Sequence, residues 1–117
     1  MVSRDPTQVW IAVYMMATRK HGTIYIGVTS QLIGRIAQHR NGTYKGFTSK
    51  YGLGRLVWFE THTTMPSALQ REKSLKKYKR EWKANLIEHD NPDWSDLYPG
   101  LLDKTDYDRW PELKPKG

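Results

Sequence analysis

The sequence predicts an α/β (α+β) domain built on a small central antiparallel sheet of three main strands flanked by helices. Three observations predict it. Residues 9–17 read VWIAVYMMA, an almost continuous apolar run rich in β-branched and aromatic side chains, which is the pattern of a strand buried on both faces. Residues 23–28, TIYIGV, alternate instead, with Thr23, Tyr25 and Gly27 on one face and Ile24, Ile26 and Val28 on the other. A third strand-like run, RLVWFETH over residues 55–62, is followed by a long helical segment that extends to about His89.

The chain has 117 residues, enough for one domain with a small core, and a formal net charge of +7. Five Trp and seven Tyr allow that core to be made from few, large side chains. A basic balance favours an acidic partner, nucleic acid before an anionic membrane. No stretch approaches the roughly 18 consecutive apolar residues of a spanning helix, and MVSRDPTQ lacks the basic-then-apolar layout of a signal peptide, so neither insertion nor secretion is expected. There is no cysteine, which excludes disulfides, thiolate zinc sites and cysteine nucleophiles and agrees with a cytoplasmic location. His21, His39, His62 and His89 are too widely spaced to suggest a zinc motif.

Taken in order, residues 1–8 read as a polar leader. The first two strands form a hairpin across RKHG, and its register decides what they carry. A loop of Arg19 and Lys20 alone sets Tyr14 opposite Tyr25; a loop of the four residues 19–22 sets Tyr14 opposite Gly27 and Met16 opposite Tyr25. Either even-length loop leaves both phenols on one face, because side chains alternate with period two. Ser30 is the expected N-cap of a helix over residues 31–40 that Asn41 and Gly42 end. Leu32, Ile33, Ile36 and Ala37 make its apolar stripe, with Arg35 and His39 one turn apart on the flank, where a side chain touches both core edge and solvent.

Residues 41–54, NGTYKGFTSKYGLG, read as a glycine-rich loop in which Lys45 and Lys50 interleave with Tyr44, Phe47 and Tyr51, either as in nucleic-acid-binding loops or as a solvated loop with a few anchoring aromatics. Pro66 suits the first turn of the long helix, with a break near residues 80–82. Ala68, Leu75, Trp82 and Leu86 lie near one face of that helix, and Glu72 falls among them. A carboxylate on an apolar stripe needs a partner, either a salt bridge to Lys76 or Arg35 or a metal ion. The other faces carry Arg71, Lys73, Lys76, Lys77, Lys79, Arg80 and Lys83 with few compensating acids, which points to phosphate contact. Trp94, Leu97 and Tyr98 are expected to fold back onto the core. The domain is expected over residues 9–102, with residues 103–117 a flexible, polar tail.

The pattern resembles the GIY-YIG nuclease family, in particular small stand-alone members similar to the N-terminal nuclease domain of a DNA-repair excinuclease. Ala12, Val13 and Tyr14 stand where the GIY tripeptide falls, and Tyr25, Ile26 and Gly27 are an intact YIG. The intervals of eleven residues to Tyr25, ten more to Arg35 and four more to His39 suit the family. Glu72 matches its metal-binding glutamate and Asn85 its final asparagine. The resemblance covers about residues 10–98, and its departure is Ala12 and Val13 in place of Gly and Ile.

The resemblance implies a metal-dependent endonuclease acting on DNA, with one Mg²⁺ or Mn²⁺ held by Glu72. A single carboxylate suffices for a cation that keeps several waters and takes phosphate oxygens as ligands. Arg35 is then the guanidinium that relieves charge on the phosphate. Tyr14 or His39 is the general base: a phenol of pKa about 10 needs help at neutral pH, and His39 offers an alternative acceptor, directly or through Tyr14. Tyr25 orients the water or phosphate, and Asn85 braces the site by hydrogen bonds. Two rival readings stay open: a catalytically weak nucleic-acid-binding module that uses the basic helix, and a basic scaffold for a protein or anionic lipid. With no second DNA-binding domain evident, sequence specificity is expected to be weak or supplied by a protein partner.

Overall fold

The computed structural model describes residues 10–40 and 54–102. The loop that carries Lys45 and Lys50, the leader and the tail lie outside these residues. Within them the strands are β1 (Ile11–Ala17), β2 (Ile24–Thr29) and β3 (Arg55–His62), and the helices are α1 (Leu32–Arg40), α2 (Met65–Lys76), α3 (Arg80–Asp90) and α4 (Tyr98–Leu102). The sheet is antiparallel with β1 in the middle, in the order β2-β1-β3. The apolar run over β1 is the consequence of that position: every residue from Ala12 to Ala17 is buried, because both faces are covered.

The hairpin takes the four-residue loop. Thr18 N donates to Thr23 O at 3.2 Å, Tyr14 pairs with Gly27 and Met16 with Tyr25. Alternation then divides the core in two. On one face Ala12, Tyr14 and Met16 pack with Leu32, Ile33 and Ile36 of α1 and with Leu101 of α4. On the other, Val13, Met15 and Ala17 pack with Ala68 and Leu75 of α2, Ile87 of α3 and Trp94. As expected, Trp94 is buried and Leu97 and Tyr98 pack partly buried against the sheet.

Helix boundaries depart from expectation in two places. Ser30 is exposed and α1 begins at Leu32; in the turn just ahead of it Thr29 Oγ1 accepts from Gln31 N at 3.0 Å. Further on, the break in the long helical segment falls just before Arg80. Lys77 N and Tyr78 N donate to Ser74 O and Leu75 O at 3.1 Å each, and Lys79 turns extended with ψ 153°. The helical phase resets there, so Trp82 points to solvent instead of joining Ala68 and Leu75 inside.

Residues remote in sequence fix the last segment. Buried Asn91 donates through Nδ2 to Val57 O at 3.1 Å and to Ser95 O at 2.9 Å, and its Oδ1 accepts from Ser95 N at 3.0 Å. Asp96 Oδ1 accepts from Leu56 N and Tyr98 N, both at 3.1 Å, while Arg40 bonds to Asp96 Oδ2 and donates to Gly54 O at 2.8 Å. No helix among the described residues is long and apolar enough to cross a membrane.

Candidate active site

The hairpin and α1 bring three rings together. Tyr14 and Tyr25 lie on one face with ring centroids 6.3 Å apart, and the imidazole of His39 stands edge-on to both, at 5.5 and 5.4 Å. Tyr14 Oη and His39 Nε2 are hydrogen-bonded at 2.8 Å. The parity of the hairpin loop places the phenols together, and the single helical turn from Arg35 to His39 adds a guanidinium on the same flank.

Gly27 is what allows this packing. A Cβ built there would lie 2.5 Å from both Cζ and Oη of Tyr14. The phenol of β1 therefore crosses over the backbone of β2 at the one position where the partner residue has no side chain. The Gly of the YIG triplet makes room for the Tyr two residues beyond the start of the other motif.

His39 departs from expectation. It is buried, not a ledge residue, and its pKa is lowered from 6.5 to about 4, first by burial and second by the positive charge of Arg35. At neutral pH the imidazole is uncharged, so it has one N–H and one lone pair to offer Tyr14. Tyr14 is itself fully buried, whereas Tyr25 and Arg35 are partly exposed. Of the two phenols, Tyr25 meets solvent.

Glu72 comes from the opposite layer. α2 packs against β1 and β2 on the Val13 face, and Glu72 sits between buried Ala68 and Leu75, its side chain 18% exposed. Its Oε2 is 3.3 Å from Lys76 Nζ, so Lys76 supplies the salt bridge. The two layers meet around the outer edge of β2, where Lys76, Lys83, Tyr25, Ile24 and Ile26 line a shallow hollow of about 330 Å³. The Glu72–Lys76 pair and Tyr25 thus border the same edge. No cluster of three or more His, Asp or Glu forms a ready-made cation cage among the described residues. A divalent ion would have Glu72 as its protein anchor, a donor set that fits a hard cation retaining most of its water, once exposed Lys76 swings aside.

The upstream end of α2 is pinned by a polar network that the sequence did not signal. Thr64 caps the helix by accepting from Ser67 N at 3.3 Å, with Pro66 in the first turn as expected. His62 bonds through Nδ1 to Ser67 Oγ at 2.5 Å and through Nε2 to Glu60 Oε1 at 2.8 Å, and Arg71 Nε reaches the same oxygen at 3.2 Å. The residue after Arg71 is Glu72, so the network ties α2 to β3 immediately beside it.

Other expected site residues are placed differently. Asn85 is exposed and makes no side-chain hydrogen bond among the described residues, so it does not brace the site in this conformation. α3 turns it outward after the helical reset at Lys79. Arg71 is engaged by Glu60, and Arg80 donates from Nη2 to His21 O at 2.7 Å and Gly22 O at 2.5 Å, clasping the β1–β2 loop. Both arginines expected on the phosphate-binding face are therefore tied into the fold. Lys73, Lys77, Lys79 and Lys83 form no ion pair among the described residues and remain the open positive charges of that surface.

A three-stranded sheet carrying paired tyrosines, a guanidinium and an imidazole on one hairpin-helix unit, with a glutamate on the following helix, defines a nuclease-type domain. The family model of the GIY-YIG catalytic domain matches residues 11–85, and the chain belongs to that family. Its relatives include small UPF0213 proteins: one of Staphylococcus epidermidis is 34% identical over 57% of this chain and 82% of its own length. Another, of Aeromonas salmonicida, is 32% identical over 80% of this chain and 68% of its own. A third, of Clostridium perfringens, is 37% identical over 58% and 73%. No solved structure matches the chain. Membership of the family implies a nuclease-type function.

Proposed function

We propose that the protein is a divalent-metal-dependent endonuclease that hydrolyses phosphodiester bonds in DNA. The observation that carries the reading is the Tyr14–His39 hydrogen bond at 2.8 Å, set beside Tyr25 and one turn from Arg35. Hydrolysis of a phosphodiester needs an aligned water, charge relief at phosphorus, an acceptor for the water's proton, and a proton or cation for the leaving oxygen as its bond to phosphorus breaks, which water or the divalent ion would supply. Arg35 meets the phosphate with a planar fork of donors. Tyr25, the phenol at the surface, orients the water. With His39 uncharged, Tyr14 and His39 act as one unit: Oη takes the water's proton while its own passes to Nε2. Tyr14 need not be a phenolate beforehand, and the negative phosphate offsets the Arg35 charge, which after burial is the second cause holding the His39 pKa low. Substrate entry uncovers Oη, which is shielded in this conformation. Mg²⁺ or Mn²⁺ held by Glu72 supplies Lewis-acid relief of phosphate charge when bound. Lys73, Lys77, Lys79 and Lys83 contribute affinity through the backbone, with little sequence information.

A second reading, a binding module with weak turnover, is favoured by the full burial of Tyr14 and the engagement of Glu72 by Lys76. A panel of labelled linear, flapped, forked and junction DNAs with Mg²⁺ and with chelator separates the two. Cation-dependent cutting supports the nuclease; a gel shift with no cutting under any divalent ion supports the binding module.

A further inference from the structure

The reset between α2 and α3 leaves a large aromatic ring in water. Trp82 is 49% exposed, while Trp10, Trp58 and Trp94 are buried. The ring is held in place: Tyr78 packs edge-on against it with centroids 5.6 Å apart at 86°, and Lys79 Nζ lies 5.6 Å from its centroid. An isolated exposed apolar residue needs no explanation. This one is braced by a second ring, has Lys79 over it and Lys83 next to it in the chain, and neither lysine has an acidic partner among the described residues. Lys83, its immediate neighbour, also lines the hollow that contains Tyr25 and borders Glu72's partner Lys76.

We propose that Trp82 is a stacking platform for an unpaired base, with the neighbouring lysines taking the phosphates on either side. A base inside a duplex has both faces covered by its neighbours, so a fixed indole among lysines discriminates for strands with free base faces. Stacking of this kind tolerates any sequence. Lys83, the residue after Trp82, lines the hollow with Tyr25 and Lys76 and so links the platform in the chain to that edge. The substrate class that follows, given the nuclease reading above, is DNA with an unpaired stretch beside the scissile phosphate, such as a flap or fork, in preference to continuous duplex.

The test measures binding in chelator, so that cutting does not enter. Three dye-labelled DNAs are compared by fluorescence anisotropy: a single strand, the same strand with its central bases replaced by abasic residues, and the corresponding duplex. The wild-type protein is expected to bind the base-bearing strand about 5- to 150-fold more tightly than the abasic one. Trp82→Ala, a change at an exposed position, should erase that difference while leaving the slope of affinity against salt unchanged, since phosphate contacts remain. Trp82→Phe should retain part of it. A difference that persists in Trp82→Ala, or its absence in the wild type, overturns the proposal. If the protein binds or cuts DNA with no preference for free bases, only the platform falls; if it neither binds these strands nor cuts with Mg²⁺, the nuclease reading falls with it.

Discussion

Replacing Gly27 by alanine should disable the site from a position that carries no functional group. The added Cβ would stand 2.5 Å from Cζ and Oη of Tyr14, where ordinary contact begins at 3.4 Å, so the ring must retreat by about 1 Å. Tyr14 is fully buried among Met16, Phe59, Leu32 and Ile36, and has little room in which to do so. A displacement of that size disturbs the 2.8 Å bond to His39, whose range for a good hydrogen bond spans only a few tenths of an ångström. Overpacking costs about 1–3 kcal/mol and the lost buried hydrogen bond about 1 kcal/mol, against a gain of about 0.5–1 kcal/mol from replacing Gly in a strand. The net loss is about 1–3 kcal/mol, or a fall of about 1 M in urea midpoint for a chain this small. Cleavage should fall on the order of 100-fold, the usual consequence of misplacing a reacting group by that distance. The control is the same substitution in a Tyr14→Leu background, where the side chain no longer spans Gly27 and the alanine should cost under about 0.5 kcal/mol. A Gly27→Ala protein as stable as wild type, or an equal loss in both backgrounds, would refute the close-approach account.

His39 makes stability depend on pH. Its folded pKa of about 4 lies below the unfolded 6.5, so the unfolded chain binds the proton more readily; stability is complete above pH 6.5 and is lost as pH falls towards 4, by up to about 3 kcal/mol in all, and His39→Gln should flatten that limb in urea titrations. Arg35→Ala should raise the His39 pKa, as read by NMR, yet leave it below 6.5 because burial is the larger cause. Arg80→Ala should release the β1–β2 loop from α3, speeding amide exchange near His21 and Gly22 while the sheet core stays protected. Glu72→Ala should abolish cutting and Mn²⁺ binding together without lowering the thermal midpoint, since Glu72's partner Lys76 is exposed.

Much of this architecture was legible because it is written in local pattern. The apolar run of β1 specified a central strand, and period-two alternation specified that Tyr14 and Tyr25 share a face before the loop length was known. The spacing of Arg35 and His39 likewise fixed their common flank. What escaped depends on partners far along the chain. The depth of His39 is set by the two tyrosines of the hairpin, and the buried amide of Asn91 ties the last segment to Val57, 34 residues away, while Asn85 faces solvent. The Glu60–His62–Ser67–Arg71 network spans the β3–α2 connection in a way that no repeat or motif announces. The exposure of Trp82 followed from a helical reset a few residues earlier than the periodicity indicated, at a run of lysine and tyrosine without Gly or Pro to mark it.

The central claim is that the hairpin, α1 and α2 assemble one phosphodiester-cutting site. The most direct measurement is the single-turnover cleavage of end-labelled forked DNA in Mg²⁺ by the wild-type protein and by Arg35→Ala, with folding of both verified by urea titration. The account predicts cation-dependent cutting by the wild type and a loss on the order of 100- to 1000-fold in the variant, the scale of removing one charge-stabilising donor. Equal cutting by a folded Arg35→Ala protein, or no cutting by the wild type with any divalent cation, would contradict it.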